Sequence, residues 1–275
     1  MDEIKYSLNY VKDNKDSRDF LGSELIGISS AKKVLVETNK FDYTKDMTPI
    51  KDQGDIGSCV GFAISAVKEW QEQQEYIREI AEGSKYRKRR RYYDLSEQWI
   101  YYKTKEIDPW PNEEGTSFRY ALKVLNKQGV PCEEGWKYNA KDVGKPEVWA
   151  PMIAKWYLCG SYYRLKNLAS IVSSLETFGP LVIGVECFWE IFGVGKTGIV
   201  PMPRNPNRPL GGHAVCLVGY DPKKRLLKFK NSWGKTWGKS GYGFLPFSYV
   251  RKYMIDSWVI KDISVTRDML KKKSV

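Results

Sequence analysis

The amino-acid sequence predicts an α+β protein built as two lobes, a helical one first and a β-rich one second. Apolar residues recur at helical spacing through the first half, and continuous β-branched runs take over in the second. The two patterns do not alternate, which argues against a parallel α/β sheet. A length of 275 residues supports a core without staples, and 42% hydrophobic with 14% aromatic residues belongs to a packed globular protein. A site in the cleft between the lobes is then expected.

Residues 1–40 mix charges with Gly and Ser without sustained periodicity and read as a leader lying over the body. The segment 42–55, with Pro49 and Gly54, is a loop. From Ser58 onward Val60, Ala63, Ile64, Val67 and Trp70 share one helical face, so a long helix is predicted, ending near Gly83. A second helix is predicted over 96–105 with Ser96 as its cap, and a third over 117–125, stopped by Gly129-Val130-Pro131. One more helix follows over 168–178, ended by Gly179-Pro180, with strands over 181–187, 214–220 and 226–231.

No apolar stretch approaches eighteen residues, so no membrane span is expected. The charged start Met1-Asp2-Glu3-Ile4-Lys5 lacks the apolar run of a signal peptide. Cys59, Cys132, Cys159, Cys187 and Cys216 are odd in number and offer no C-x-x-C pair, hence neither a zinc knuckle nor a thioredoxin motif. Their spacing leaves room for a disulfide, but free thiols in a reducing compartment are the simpler reading. Cys187 and Cys216 fall in apolar strand-like runs, as small core residues. Lysines and arginines outnumber acids 45 to 33, for a net charge of +12, part of it in Lys85-Tyr86-Arg87-Lys88-Arg89-Arg90-Arg91 and Lys271-Lys272-Lys273. A solvated loop and a tail are the favoured readings of these runs. The sharper one is weak contact of 85–91 with nucleic acid or an anionic surface, with Tyr86, Tyr92 and Tyr93 available to stack.

His213 is the only histidine, so imidazole chemistry near neutral pH must use it. It stands at the mouth of strand 214–220, and Tyr220-Asp221-Pro222-Lys223-Lys224 reads as the turn to strand 226–231. An antiparallel pairing symmetric about Pro222 sets Asn231 opposite His213. There the amide oxygen can accept from one ring N–H, fix the tautomer and leave the other nitrogen to a nucleophile. Cys59 is the best nucleophile, because the unpaired N–H groups at the start of the long helix favour a thiolate. Gly57 and Ser58 let a substrate backbone come close. The side-chain NH₂ of Gln53, six residues before Cys59, can join the Cys59 backbone N–H in holding an oxyanion.

Gln53-Gly54-Asp55-Ile56-Gly57-Ser58-Cys59 resembles the Q-G-x-x-G-S-C box of the papain-like cysteine proteases. Gly212-His213-Ala214-Val215 with Val218-Gly219-Tyr220 is similar to that family's histidine strand. Lys230-Asn231-Ser232-Trp233-Gly234, Trp237-Gly238 and Gly241-Tyr242-Gly243 resemble its K-N-S-W-G-x-x-W-G-x-x-G-Y box, and the three boxes stand in family order. The resemblance spans about 41–257. It implies a helical lobe over 41–151, an antiparallel, barrel-like β lobe over 152–265, a leader or pro-segment over 1–40 and a basic tail over 266–275. It further implies a monomeric cysteine endopeptidase that cleaves polypeptides through Cys59, His213, Asn231 and Gln53 by way of a thioester, with no cofactor and no metal. Gly57, Ser58, Gly115, Thr116, Gly212 and Trp233 would line the substrate path, Trp233 also shielding the Asn231–His213 bond. Residues 131–138 would stand near the wall of the S2 pocket.

Ile56 replaces a cysteine that secreted relatives pair with another, and the matching stretch Glu113-Glu114-Gly115-Thr116-Ser117 lacks cysteine too. Val60 replaces the usual aromatic after the nucleophile. With Ser58-Cys59-Val60-Gly61-Phe62-Ala63 and a short leader containing Asp16-Ser17-Arg18-Asp19-Phe20, the chain looks more like bacterial, archaeal and viral members. A reducing home, cytoplasmic or in a virion, is the corresponding expectation. The leader is expected to cover part of the cleft. A transpeptidase of the same chemistry is one alternative. An inactive peptide-binding relative with a basic nucleic-acid-binding surface is another, although none of Cys, His and Asn is missing.

Overall fold

The computed structural model describes residues 6–22, 40–82 and 93–262, so the basic run 85–91 and the Lys271–Lys273 tail lie outside the described residues. Among the described residues, three longer helices dominate the helical lobe. The longest, α1 (Cys59–Ala81), buries Val60, Ile64 and Val67, and α2 (Glu97–Lys105) and α3 (Phe118–Lys127) pack against it. Helix α2 starts where it does because the buried Ser96 hydroxyl accepts from the Trp99 N–H at 3.0 Å while donating to the Trp136 carbonyl. Ser96→Ala strands both partners in the interior, so chemical denaturation should show a loss of about 1–2 kcal/mol. An unchanged midpoint would show that the cap contributes nothing.

The short α4 (Ala150–Ala154), whose buried Ala150 and Ala154 pack in the same cluster as α1, α2 and α3, leads to β2 (Cys159–Arg164) and α5 (Leu168–Phe178). Asn167 and Ser170 cap α5 reciprocally, and Gly179 ends it at φ +83. A Cβ there would fall 2.2 Å from the Trp70 ring, so glycine is required both for the turn and for the approach of α1. The remaining elements are β3 (Leu181–Cys187), β4 (Gly211–Asp221), β5 (Leu226–Lys230), β6 (Tyr242–Pro246), α6 (Phe247–Tyr253) and β7 (Met254–Asp262). They form one antiparallel sheet of order β2-β7-β3-β4-β5-β6, to which β1 (Phe41–Asp42) adds alongside β4. All five cysteines are buried and none is in a disulfide; Cys187 and Cys216 lie within strands of the core.

Two expectations are corrected. The β lobe is not barrel-like, because the sheet stays open at β2 and β6. Its edges are met instead by single extended residues, Leu21 against Arg164 and Ile199 against Phe244, which occupy the bonding positions that closure would have used. The β4–β5 pairing is also not symmetric about Pro222. The turn occupies 222–225, with Arg225 at φ +56, and β4 bulges between Leu217 and Gly219. The ladder runs from Asp221↔Leu226 to Cys216↔Lys230, so His213 and Asn231 lie beyond its paired end and meet diagonally.

Candidate active site

Cys59 is the first residue of α1, and its position is fixed by the loop before it. That loop is locked to the β lobe: Gln53 N–H donates to the Ser232 carbonyl at 2.8 Å, Gly234 N–H to the Lys51 carbonyl at 3.1 Å, and Asp52 bridges Trp233. Beneath it the Lys51 ammonium reaches Glu69 at 3.0 Å and Glu97 at 2.6 Å, joining the loop to α1 and α2 in a low-exposure ion network. Removing one partner of such a network leaves an uncompensated charge, so the loop has little freedom.

Strand β4 carries His213 and β5 delivers Asn231. The His213 Nε2 lies 2.8 Å from Asn231 Oδ1, which also accepts the Ser232 N–H at 2.9 Å. An oxygen can only accept, so Nε2 carries the proton and Nδ1 presents a lone pair; Nδ1 has no protein partner among the described residues. Trp233 covers the imidazole face with ring centroids 4.4 Å apart and is itself fully buried. Burial pushes the Cys59 thiol up to about 11, against the pull of the Ala214, Val60 and Cys59 backbone N–H groups. Burial likewise draws the His213 imidazole down to about 4, against the Asn231 bond. Burial thus opposes, in this state, the thiolate that the helix start favours.

The leader runs through the cleft beside this pair. Tyr10 N–H donates to the Gly212 carbonyl at 2.9 Å on the β side, and Val11 N–H donates to the Thr116 carbonyl at 3.0 Å on the helical side. Both pairings are parallel. Asn9 lies so close to the helical wall that a Cβ on Gly115 would sit 1.7 Å from its carbonyl oxygen, and one on Gly57 would sit 3.1 Å from its Cβ. Its side-chain NH₂ donates to Glu114 at 2.8 Å. Tyr6 stacks on Trp233, centroids 4.6 Å apart and planes 7° from parallel. Of the residues named for the substrate path, Gly57, Gly115, Thr116, Gly212 and Trp233 all meet this segment. Ser58 does not; its hydroxyl lies 2.7 Å from the Tyr138 hydroxyl, which in turn donates to the Gln53 carbonyl. Tyr138, at the end of the 131–138 stretch, thus braces the nucleophile loop from outside the cleft. Gln53 is fully buried, with Oε1 held by the Ser232 hydroxyl at 2.6 Å and Nε2 donating to the Ile56 carbonyl at 2.8 Å, which leaves one N–H.

A family model described as papain family cysteine protease matches residues 37–259. The chain belongs to the papain family of cysteine proteases. An uncharacterized peptidase C1-like protein of Acanthamoeba polyphaga mimivirus is 29% identical to it over 95% of this chain and 88% of its own. Cathepsin C of Schistosoma mansoni is 29% identical over 74% of this chain, which spans only 46% of that relative's length. Among solved structures, xylellain, a cysteine protease from Xylella fastidiosa, superposes with a TM-score of 0.77 at 27% identity, covering 95% of this chain and 98% of that one. This papain-family protein is accordingly a cysteine peptidase with the two-lobed α+β fold of its relatives.

The sequence reading missed the groups that seat the leader. Asp19 accepts from Arg119 at 3.1 and 2.6 Å and from Arg164 at 3.1 Å. Asp13 accepts the Arg119 backbone N–H, and its own N–H donates to Asp256 at 2.8 Å; Asp256 is in turn paired with Arg164. These partners lie about one hundred or more residues apart, and each alone is an ordinary charged residue. Only the density of acids over 13–19 hinted at a docked segment.

Proposed function

We propose that the protein is a latent cysteine endopeptidase that hydrolyses polypeptides through Cys59, His213 and Asn231. The observation that carries this reading is the imidazole clamped by Asn231 under Trp233, its Nδ1 without a partner among the described residues and the next residue, Ala214, packed in one core cluster with Cys59. In the open enzyme, Nδ1 takes the thiol proton and the thiolate adds to a peptide carbonyl. The oxyanion rests on the Cys59 backbone N–H and the remaining Nε2–H of Gln53. The imidazolium then protonates the leaving amine, and a water, deprotonated by the same nitrogen, hydrolyses the thioester. Trp233 keeps solvent from the Nε2–Oδ1 bond, so the tautomer survives the cycle.

Residues 1–40 act in this reading as a self-covering leader, with lobes over 41–151 and 152–265. The leader holds the site filled until it is displaced. Five buried cysteines without a disulfide support a reducing compartment as the working location. An epoxide inactivator of thiol proteases, followed by peptide mapping, tests the site in the full chain. Label confined to Cys59, and lost in His213→Ala, is the expected result. Label spread over all five cysteines, or unaffected by His213→Ala, would overturn the assignment.

A further inference from the structure

We infer that Asp256 is a specificity-determining residue, which selects substrates that place a tyrosine in the pocket now filled by Tyr10. This rests on the peptidase site proposed above and adds to it the side chain that the site favours. The leader is a peptide bound along the cleft by its main chain, anchored on Gly212 and Thr116 on opposite walls. The side chain it buries between those anchors therefore reports what the adjoining pocket accepts.

That side chain is Tyr10, only 5% exposed. The pocket exists because Gly184 has no side chain: a Cβ there would fall 2.3 Å from the Tyr10 ring. Phe118 closes one side, centroids 4.8 Å apart at 46°. At the far end the Tyr10 hydroxyl donates to Asp256 Oδ2 at 3.2 Å. Asp256 is itself 2% exposed, and its other oxygen is taken by Arg164.

Among the described residues, both protein partners of Oδ2, the Tyr10 hydroxyl and the Asp13 N–H at 2.8 Å, belong to the leader. When the leader leaves, a buried carboxylate oxygen loses them together. A substrate phenol restores the contact, whereas phenylalanine or leucine fills the volume and leaves the oxygen short of a donor. A lysine or arginine is disfavoured for a different reason. Arg119 and Arg164 both lie over the Trp258 ring, at 5.8 and 5.3 Å, and with the acids of the leader gone they outnumber Asp256 two to one.

The test uses the full chain carrying Tyr10→Ala, which empties the pocket, and a positional-scanning library of fluorogenic peptides varied at each residue before the scissile bond. One position should favour Tyr over Phe by about tenfold in kcat/KM, with Lys and Arg below Phe. Adding Asp256→Ala should bring the Tyr-to-Phe ratio close to one, and Asp256→Asn should bring it between. Because the ratio compares two substrates on one enzyme, a change in leader docking or in the folded fraction cancels. A second measurement spares Asp256: Tyr10→Phe alone should raise hydrolysis of a fixed substrate severalfold, since the leader loses the same bond. Equal turnover of Tyr and Phe peptides at every position, or a ratio that survives Asp256→Ala, would overturn the role of Asp256 while leaving the peptidase site standing. Failure of every peptide to turn over, together with failure of the epoxide to label Cys59, would remove the site and this inference with it.

Discussion

His213→Ala is expected to lower kcat/KM for any peptide substrate by roughly four orders of magnitude or more, because no second imidazole can take its place. Cys59→Ala should do the same, and the double variant should be no worse than either single one, since the two groups act as a unit. Asn231→Ala is expected to cost less, about ten- to a hundredfold. It loosens the tautomer and ring orientation but leaves the nucleophile and base in place. Steady-state kinetics on a fluorogenic peptide, with melting curves to confirm folding, separate these cases. If Asn231→Ala proved as damaging as His213→Ala with an unchanged melt, the 2.8 Å bond would have a larger role than orientation.

Asp19→Ala should switch the enzyme on. Asp19 is 9% exposed and holds two guanidiniums, so its loss leaves a repulsive pair under the leader. Breaking a buried pair costs about 3–5 kcal/mol, of which the part that falls on docking shifts the open population at least tenfold. Hydrolysis should rise by that factor. Alkylation of Cys59 at pH 8 should rise with it, because reopening the site to water removes the burial that holds the thiol up at about 11. Arg18→Ala is the control: its pair with Asp16 is solvent-exposed and should change neither reading by more than twofold. Activity and alkylation that stay at the level of the natural chain in Asp19→Ala would show that the leader does not restrain the site.

Asp13 gives this restraint a pH dependence of defined sign. Burial, reinforced by the nearby Asp256 charge, raises its carboxyl from 3.8 to about 6 in the docked state. The docked leader therefore binds a proton more tightly than the free one, so the Asp13 contribution to docking is full below about 4 and fades as pH rises through 6. Latency should weaken between about pH 4 and 6, and Asp13→Asn should flatten that slope. A slope of the opposite sign would assign the control to another group.

The fold was largely legible where local signals were strong. Helix α5 and strand β3 coincide with the segments read from Gly179-Pro180 and the run of apolar residues around it. Strand β7 was not visible, because it begins at Met254 directly after α6 ends at Tyr253, with no turn residue to mark the change. Strand β2 was not read either, because Gly160 and Ser161 near its start interrupt the apolar alternation a strand would show. In the site, Cys59, His213, Asn231 and Gln53 stood out because each has a distinctive type in a distinctive local setting. Asp256, Arg119 and Arg164 stood out in neither way. Their importance comes from meeting Asp13 and Asp19 across the fold, and single-chain spacing carries no trace of that encounter.

The leader is bonded to both walls of the cleft, through Gly212 on one side and Thr116 on the other. It is therefore a strap across the lobes as well as a cover. Substitutions at 6–19 that harden the molecule against heat will tend to hold the strap in place and silence it, whereas those that quicken it will tend to soften it. Directed selection for thermal endurance and for turnover should thus diverge at these positions, and the two goals can be reconciled only by stabilising residues elsewhere in the chain.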